Sequence, residues 1–355
     1  MLSEELSSQI LTISCAFNPP KGGVAQVVYT YSKEVYPVFK SVENSKSGPK
    51  IRNLWSAVTG MIKTIWILLT DRKIKIVHIH SASRTSFYRS MIFVNLSHFF
   101  KKRVVMHIHG GGFKEFYKTN PQKIKKKLLS CDAVLALTGG WNKFFSKEVG
   151  LPNVWTVNNI VSQPLLRNVR EKDNRIHLLF LGLIDDFKGI FELIEVVDAN
   201  KSLLENKLVL HIGGNGQIDR LKRMISEKGL CTMVNYEGWV SGEKKNELLN
   251  QADVFILPSH IEGLPIAILE ALSYGIPVIT TPVGGIPEIV NNSNGWIFTP
   301  GDKQSLTNLL KEIILDPQLI TVRKEYASKS VEANLPEDVS RVLDQLYNCL
   351  LISKS

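Results

Sequence analysis

Residues 252–290, ADVFILPSHIEGLPIAILEALSYGIPVITTPVGGIPEIV, carry the strongest pattern in the chain. An apolar strand at Val254–Leu257 leads through a turn with Glu262 into a helix with Glu270, and a second apolar strand follows at 277–280. A strand–helix–strand unit of this kind predicts parallel strands, which bind ligands where strands end and helices begin. Helix N-termini offer unpaired N–H groups to anions, and carboxylates accept hydrogen bonds from hydroxyls. The pattern therefore suits a sugar that carries a diphosphate.

These residues resemble a known family, the retaining GT-B glycosyltransferases of family 4. In that family two glutamates eight positions apart precede the motifs G-x-P-V-I and G-G-x-P-E-(I/L)-V. The chain has Glu262 and Glu270 at this spacing, followed by GIPVIT at 275–280 and GGIPEIV at 284–290. An ordinary strand–helix–strand crossover that carries two glutamates by chance would not match the family at all of these positions.

The resemblance implies an α/β protein with the GT-B fold, in which two Rossmann-like doubly wound domains face each other across a cleft. We expect an N-terminal, acceptor-side domain at 1–165 and a C-terminal, nucleotide-sugar-binding domain at 175–335. The polar, proline-containing segment 162–174 predicts the linker between them. The family further implies that a last helix, at 338–351, packs back on the first domain.

Both halves alternate apolar strand patterns with helical patterns, as doubly wound sheets do. The further predicted strands are 10–14, 74–80, 103–108, 133–137, 176–182, 207–212 and 234–236, and the further predicted helices are 51–69, 86–100, 189–199 and 218–228. The helix at 86–100 is rich in aromatic residues, and both a core-packed face and a membrane-contacting face are open to it.

Composition fits a globular protein large enough for two α/β cores. The chain has 355 residues, 44% of them hydrophobic, and a mean hydropathy of +0.01. Its four cysteines lie far apart without C-x-x-C spacing, so we expect neither a zinc framework nor disulfides, and a reducing compartment. The N-terminus is acidic where a signal peptide is basic, and no apolar run reaches the length of a membrane span. We therefore expect a cytoplasmic protein.

Charge is divided unevenly along the chain. Residues 1–165 hold 23 Lys and Arg against 8 Asp and Glu, a net charge of +15, whereas residues 166–355 have a net charge of −5. The densest basic segment is 101–127. Such asymmetry indicates an anionic partner for the first half, and an anionic membrane surface on the inner leaflet is the expected one. Nucleic acid is not expected, because no nucleic-acid-binding motif accompanies the charge, and a solvated basic face is the remaining alternative.

The family resemblance assigns donor-binding roles in the second half. Glu270 is expected to accept hydrogen bonds from ribose hydroxyls, and Lys188 to face the diphosphate. Glu262 and the backbone of the three residues after it are expected to hold the sugar; these three are Gly263, Leu264 and Pro265. Leu183 occupies the position of a family arginine, a departure that removes one donor to the diphosphate.

The segment YEGWV at 236–240 resembles the family segment beside the nucleotide base, which makes Gly238 and Trp239 base-adjacent residues. In the first half, Gly22 and Gly23 match the family's Gly-Gly loop near the diphosphate. Glycine at that place permits close backbone approach ahead of a helix N-terminus.

Two strand ends in the first half carry alternating histidines. The first has His78 and His80, and the second has His107 and His109. By position His109 matches the family histidine that contacts the donor sugar, and we expect it and Glu262 to serve catalysis. We do not expect these histidines to bind metal, because no carboxylate accompanies them at ligand spacing.

The predicted function is retaining transfer of a sugar from a nucleotide diphosphate to a glycan or a polyprenyl-diphosphate-linked acceptor, in bacterial surface polysaccharide biosynthesis. No cofactor is expected, the nucleotide sugar is a substrate, and the reaction is expected to be independent of metal. A nucleotide-sugar 2-epimerase of the same architecture and a catalytically inactive GT-B partner subunit are the alternatives.

Overall fold

The computed structural model describes residues 1–46, 50–162, 164 and 173–352. The chain forms two compact units, of which one comprises Met1–Ser162 with Ala333–Ser355 and the other comprises Gln163–Glu332. Most of the predicted linker at 162–174 lies outside the described residues.

The first unit contains a six-stranded parallel sheet. Its strands are β1 Ile10–Cys15, β2 Lys40–Ser45, β3 Ile76–Ser81, β4 Arg103–Ile108, β5 Ala133–Ala136 and β6 Val154–Thr156, in the order β2-β1-β3-β4-β5-β6. The helices that precede the linker are α1 Glu4–Ser8, α2 Gly23–Glu34, α3 Lys50–Thr70, α4 Thr85–Phe99, α5 Phe113–Thr119, α6 Pro121–Leu128 and α7 Gly139–Lys143.

The second unit contains another six-stranded parallel sheet. Its strands are β7 Ile176–Leu181, β8 Leu208–Gly213, β9 Val234–Gly238, β10 Val254–Leu257, β11 Val278–Thr280 and β12 Gly295–Ile297, in the order β12-β11-β10-β7-β8-β9. Its helices are α8 Ile190–Ala199, α9 Lys201–Leu204, α10 Ile218–Glu227, α11 Gly242–Gln251, α12 Ile266–Ser273, α13 Lys303–Leu315 and α14 Gln318–Ala327. This strand order is that of the dinucleotide-binding doubly wound fold.

The last helix, α15 Pro336–Ile352, belongs to the first unit. Its Tyr347 is fully buried and its hydroxyl lies 2.5 Å from the hydroxyl of Tyr36 and 2.6 Å from Nδ1 of His78 in β3. Backbone bonds add to this attachment, because the N–H of Val161 donates to the carbonyl of Asn334 at 3.0 Å.

The predicted α/β class and parallel sheets are confirmed, and the predicted strands and helices recur within about two residues of their expected bounds. Three strands were not predicted from the sequence: β2, β6 and β12. All three lie at sheet edges, where a strand has one neighbour and needs less apolar sequence.

Helix α3 presents its small residues to the sheet and its large apolar residues to solvent. The buried positions Ser56, Gly60 and Thr64 recur every four residues, and a Cβ on Gly60 would lie 2.6 Å from the carbonyl oxygen of Glu43 in β2. The exposed side chains form the apolar stripe, defined as Ile51, Leu54, Trp55, Val58, Ile62, Trp66 and Leu69. Among the described residues, no helix combines the length and hydropathy needed to cross a membrane.

We expect the substitution Gly60→Leu to lower the free energy of unfolding by about 1–3 kcal/mol, because the strand backbone occupies the space that a side chain needs. Urea denaturation followed by circular dichroism measures the loss. The control is Lys63→Ala on the exposed side of the same helix, which should leave stability unchanged. Equal stability of Gly60→Leu and wild type would contradict this packing.

Candidate functional site

The order of the second sheet reverses between β7 and β10, which are hydrogen-bonded neighbours although three strands apart in sequence. Loops that leave the carboxyl ends of two such strands diverge to opposite faces and leave a crevice, the usual ligand site of open α/β sheets. The two loops here are 182–189, which contains Lys188, and 258–265, which contains Glu262.

Lys188 and Glu262 meet at this crevice. The ammonium Nζ of Lys188 lies 2.5 Å from Oε1 of Glu262, and the hydroxyl of Ser259 donates to the same oxygen at 2.7 Å. The Glu262 side chain is only 8% exposed and that of Lys188 is 23% exposed, so the pair is mostly shielded from solvent. A shielded ammonium next to a carboxylate can bind a phosphate oxygen and a hydroxyl side by side.

The backbone around Lys188 is fixed by its own loop. The carboxylate of Asp185 accepts a hydrogen bond of 2.9 Å from the N–H of Lys188. Gly189 has φ +68°, and a Cβ there would lie 2.1 Å from the carbonyl oxygen of Pro258. Glycine is therefore required where the two loops touch, and α8 begins directly after it.

The backbone after Glu262 is held in a similar way. The carbonyl of Gly263 accepts a hydrogen bond of 2.6 Å from the N–H of Gly285, and a Cβ on Gly284, whose φ is +61°, would lie 2.2 Å from the carbonyl oxygen of Glu262. Leu264 is buried, and Pro265 is the N-cap residue of α12 without a side-chain cap. The Gly-Gly turn thus positions the segment that the sequence assigns to the donor.

Glu270 lies inside α12, one loop away from Glu262. Its carboxylate pairs at 2.5 Å with Nζ of Lys245 in α11, and both side chains are mostly buried. Sequence reasoning missed Lys245 and Ser259, because their partners are set by packing and no spacing rule relates them.

Leu183 is 46% exposed at the edge of this crevice, in the place of the family arginine. The nearby Arg220 pairs with the carboxylate of Asp186 at 2.9 Å, and its guanidinium lies 3.8 Å from the centre of the Phe191 ring. Arg220 is therefore held against Asp186 in the loop that also contains Lys188.

The base-adjacent segment is open to solvent. Gly238 has φ +76° with free space around its Cβ position, Trp239 is 45% exposed, and the carbonyl of Gly238 accepts a bond of 2.8 Å from the N–H of Gly214.

Burial raises the pKa of Glu237, but hydrogen bonds from His211 and the nearby Lys244 outweigh it and hold the pKa below its usual range.

In the first unit, His109 follows β4 and its Nε2 lies 2.9 Å from Nδ1 of His80 at the end of β3. Burial lowers the pKa of His109 to about 3, against a smaller opposing effect of a hydrogen bond with the Asn159 side chain. The ring is therefore neutral near pH 7, and one nitrogen can accept while the other donates.

Gly22 and Gly23 lie where α2 begins. Gly22 has φ +120°, and at both positions the space that a Cβ would occupy is free of other atoms within 4 Å. The helix has no side-chain cap at this end, so its first N–H groups remain available to an anion.

The structure thus brings together Lys188, Glu262 and the backbone of Gly263 at one crevice, with Glu270 in the helix that follows. His109, Gly22 and Gly23 lie in the first unit.

Comparisons with known proteins give a family match and the fold. The sequence model of the family described as "Glycosyl transferases group 1" matches residues 162–330. A putative colanic acid biosynthesis glycosyltransferase, WcaL of Salmonella typhimurium, is 36% identical over 155 residues, which are 41% of this chain and 38% of that protein. The chain thus matches less than half the length of this curated relative.

Two solved structures share the fold over nearly the whole chain. Sucrose-phosphate synthase from Thermosynechococcus elongatus superposes with a TM-score of 0.79 at 16% identity, covering 97% of this chain and 99% of that one. HepE from Anabaena, solved in complex with UDP, gives a TM-score of 0.73 at 16% identity with the same coverage. The fold is the GT-B fold, as the sequence resemblance implied.

We expect Lys188→Met to lower the free energy of unfolding of the second unit by about 2 kcal/mol. Breaking a fully buried pair typically costs about 3–5 kcal/mol, and the loss here is smaller because Lys188 is partly exposed. The variant leaves the carboxylate of Glu262 shielded without its cation. Adding Glu262→Gln should recover part of the loss, with a coupling free energy of about 1 kcal/mol or more.

Chemical denaturation of the four proteins in this cycle measures the coupling. The control is Lys303→Met, which breaks a pair with Glu195 of the same 2.5 Å length between exposed side chains and should leave stability unchanged. Strict additivity of the two substitutions at the crevice would mean that the pair does not hold its loops together.

Proposed function

Residues 162–330 belong to the glycosyl transferases of group 1, and from this premise we propose that the protein transfers a sugar, with retention of configuration, from a nucleotide diphosphate donor to a glycan or lipid-linked acceptor. The role we assign is in bacterial surface polysaccharide biosynthesis. The name of the Salmonella relative, which refers to colanic acid biosynthesis, supports this role.

The observation that carries the proposal is the pair of Lys188 and Glu262 at the strand-order reversal. A nucleotide sugar offers a diphosphate and hydroxyl groups next to each other. The ammonium of Lys188 can bind the diphosphate, and the carboxylate of Glu262 can accept hydrogen bonds from the hydroxyls. The UDP in the HepE structure is a ligand of the same class.

Glu270 receives the ribose hydroxyls in this assignment. In the absence of donor its carboxylate pairs with Lys245, so donor binding adds hydroxyl donors to an acceptor that already has one cation beside it. Gly238 and Trp239, whose positions are open, receive the base.

Transfer builds negative charge on the phosphate oxygen that leaves the sugar. Lys188 and the uncapped N–H groups at the start of α12 stabilise that charge before the reaction begins, which lowers the barrier without reorganisation. Glu262 orients the sugar and is not assigned as a nucleophile, unlike the paired carboxylates of glycosidases. No metal ion or cofactor is assigned to this step.

From the family resemblance we assign His109 to the donor sugar, the Gly22–Gly23 turn to the diphosphate and the basic surface to the acceptor. His109 acts as a neutral hydrogen-bonding group, in keeping with its lowered pKa.

A panel of nucleotide sugars tests the function directly. A bound donor should raise the melting temperature of the full chain, and incubation with that donor and lipid-linked acceptors should release nucleoside diphosphate. Interconversion of free nucleotide sugars without acceptor would instead identify the 2-epimerase. Donor binding without transfer or hydrolysis would identify the inactive partner subunit.

We expect Glu270→Ala to weaken nucleotide binding by about 1.5–3 kcal/mol, since the ribose loses a charged acceptor. Isothermal titration with the nucleoside diphosphate alone measures this loss. Glu262→Gln should lower turnover far more than affinity for the nucleotide alone, because its contact is to the sugar. Equal weakening of nucleotide binding by both variants would remove this division of roles.

The first unit also exposes a large apolar surface, from which we propose peripheral membrane binding. The apolar stripe of α3 exposes two tryptophans, each about two-thirds exposed, together with aliphatic side chains along a helix of 21 residues. Helix α4 packs against α3 and continues this exposure with Ile92 and Phe99. Large contiguous apolar patches mark interaction sites, and tryptophan favours the boundary between lipid and water.

Basic residues in α3 and on α6 favour an anionic lipid surface as the partner of the apolar stripe. Lys123 and Lys127 of α6 lie over the ring of Tyr88 in α4, at 5.6 and 6.0 Å from its centre. The charged residues within α3 are all basic. We infer that the first unit lies on the inner leaflet, as expected from the net charge of +15 of residues 1–165, with the stripe in the headgroup region and the lysines against anionic lipids.

The double variant Trp55→Ser, Trp66→Ser should lose binding to vesicles of anionic lipid in sedimentation assays. Replacing four lysines by glutamine, at 123, 125, 126 and 127, should weaken binding by roughly 1 kcal/mol for each lysine at the surface and reduce its salt dependence. The matched control is Val322→Ser with Tyr326→Ser, two exposed apolar residues of α14 in the second unit. Wild-type protein that sediments equally with neutral and anionic vesicles, or not at all, would exclude this surface.

A further inference from the structure

Three buried histidines of the first sheet lie side by side, with their rings partly stacked. His80 of β3 is the register partner of His107 in β4, and His78 precedes His80 by two residues and so faces the same side of the sheet. One ring nitrogen of each lies within 4.8 Å of one nitrogen of each of the others. All three side chains are nearly or fully inaccessible to solvent.

Several of these nitrogens have no hydrogen-bond partner in the described part of the chain. They are Nε2 of His78, Nε2 of His80 and both ring nitrogens of His107. A buried polar group without a partner is costly, so four such nitrogens in one cluster indicate that the cluster holds something.

The outer side of the cluster has the partners that metal-binding histidines need. The hydroxyl of Tyr347 lies 2.6 Å from Nδ1 of His78, and Nε2 of His109 lies 2.9 Å from Nδ1 of His80. Ligating imidazoles typically use their second nitrogen in this way, which fixes the tautomer and aims the lone pair at the ion.

Against the expectation from the sequence, we propose that His78, His80 and His107 bind a divalent transition metal ion of the zinc class, with the unpartnered Nε2 atoms of His78 and His80 as two of the ligands. Three neutral imidazoles with a fourth, open position form a common zinc site. Nitrogens on a tetrahedral ion lie about 3.3 Å apart, so the rings, whose planes are now 18° to 35° apart, would rotate towards one another on binding it.

A water molecule near Tyr31 would be the fourth ligand of the ion and would offset part of its charge. The ring of Tyr31 packs against all three histidines, and its buried hydroxyl has no partner in the described part of the chain. This hydroxyl would hydrogen-bond a water on the ion. Zinc lowers the pKa of such a water to about 7, so a bound hydroxide offsets part of the buried charge in a site without carboxylates.

Metal binding has a consequence for His109. An ion on Nε2 of His80 leaves the proton of that ring on Nδ1, which then donates to Nε2 of His109. The proton of His109 must then lie on Nδ1. The ion thereby positions His109 through His80 and stabilises the first sheet, and it takes no part in the transfer step proposed above.

Metal analysis of the full chain tests the site. Wild-type protein, refolded with Zn²⁺ or Co²⁺ and freed of excess metal, should retain about one ion per chain, and the Co²⁺ form should show the visible absorption of a tetrahedral site. The variants His78→Gln and His107→Gln should lose the ion and this absorption. His98→Ala, which removes a histidine of α4 outside the cluster, should keep both.

Wild-type protein alone decides the question if a variant does not fold. A chelator that removes bound metal should lower the melting temperature, and Zn²⁺ should restore it. Wild-type protein that retains no ion after refolding with metal would overturn the proposal and leave the cluster to ordered water. Retention of the ion by both glutamine variants would overturn it as well.

Discussion

The second unit depends on one constraint, the pairing of β7 with β10 at the point where the strand order reverses. Because these strands run in parallel, their following loops start side by side and must share a narrow space. Two glycines make that sharing feasible, since a side chain on Gly189 or Gly284 would enter a neighbouring carbonyl group. The contact between Lys188 and Glu262 follows from this closeness and not from any local preference of either loop.

The sequence was sufficient for the parts of the fold that repeat a simple rule. The segment 252–290 predicted β10, α12 and β11, because apolar runs bounded by proline and glycine have few other interpretations. The short edge strands β2 and β12 escaped notice, since three to six residues with one sheet neighbour need little apolar content. Resemblance to a family supplied the roles of Glu262 and Glu270, and physical spacing alone would not have done so.

Long-range partners could not be predicted. The spacing of α3 indicated a helix with one apolar side. Periodicity does not say whether that side packs on a core or faces solvent. In the structure the side with the small residue Gly60 packs on the sheet, and the large apolar side chains are exposed. Lys245 became the partner of Glu270 only because α11 and α12 pack together. His78 and His107 are likewise 29 residues apart in sequence, and only strand register makes them neighbours.

The route of the chain through the two units has a consequence for the order in which they form during synthesis. The second unit is one continuous stretch, Gln163–Glu332, and can fold as soon as it has left the ribosome. The first unit is made earlier yet remains incomplete, because Tyr347 of α15 closes over Tyr36 and His78. Until α15 emerges, Tyr36 and His78 of the first unit lack the cover that Tyr347 provides. The first unit is therefore translated first but completed after the second unit. A stop codon before α15 would leave the first unit without its last helix.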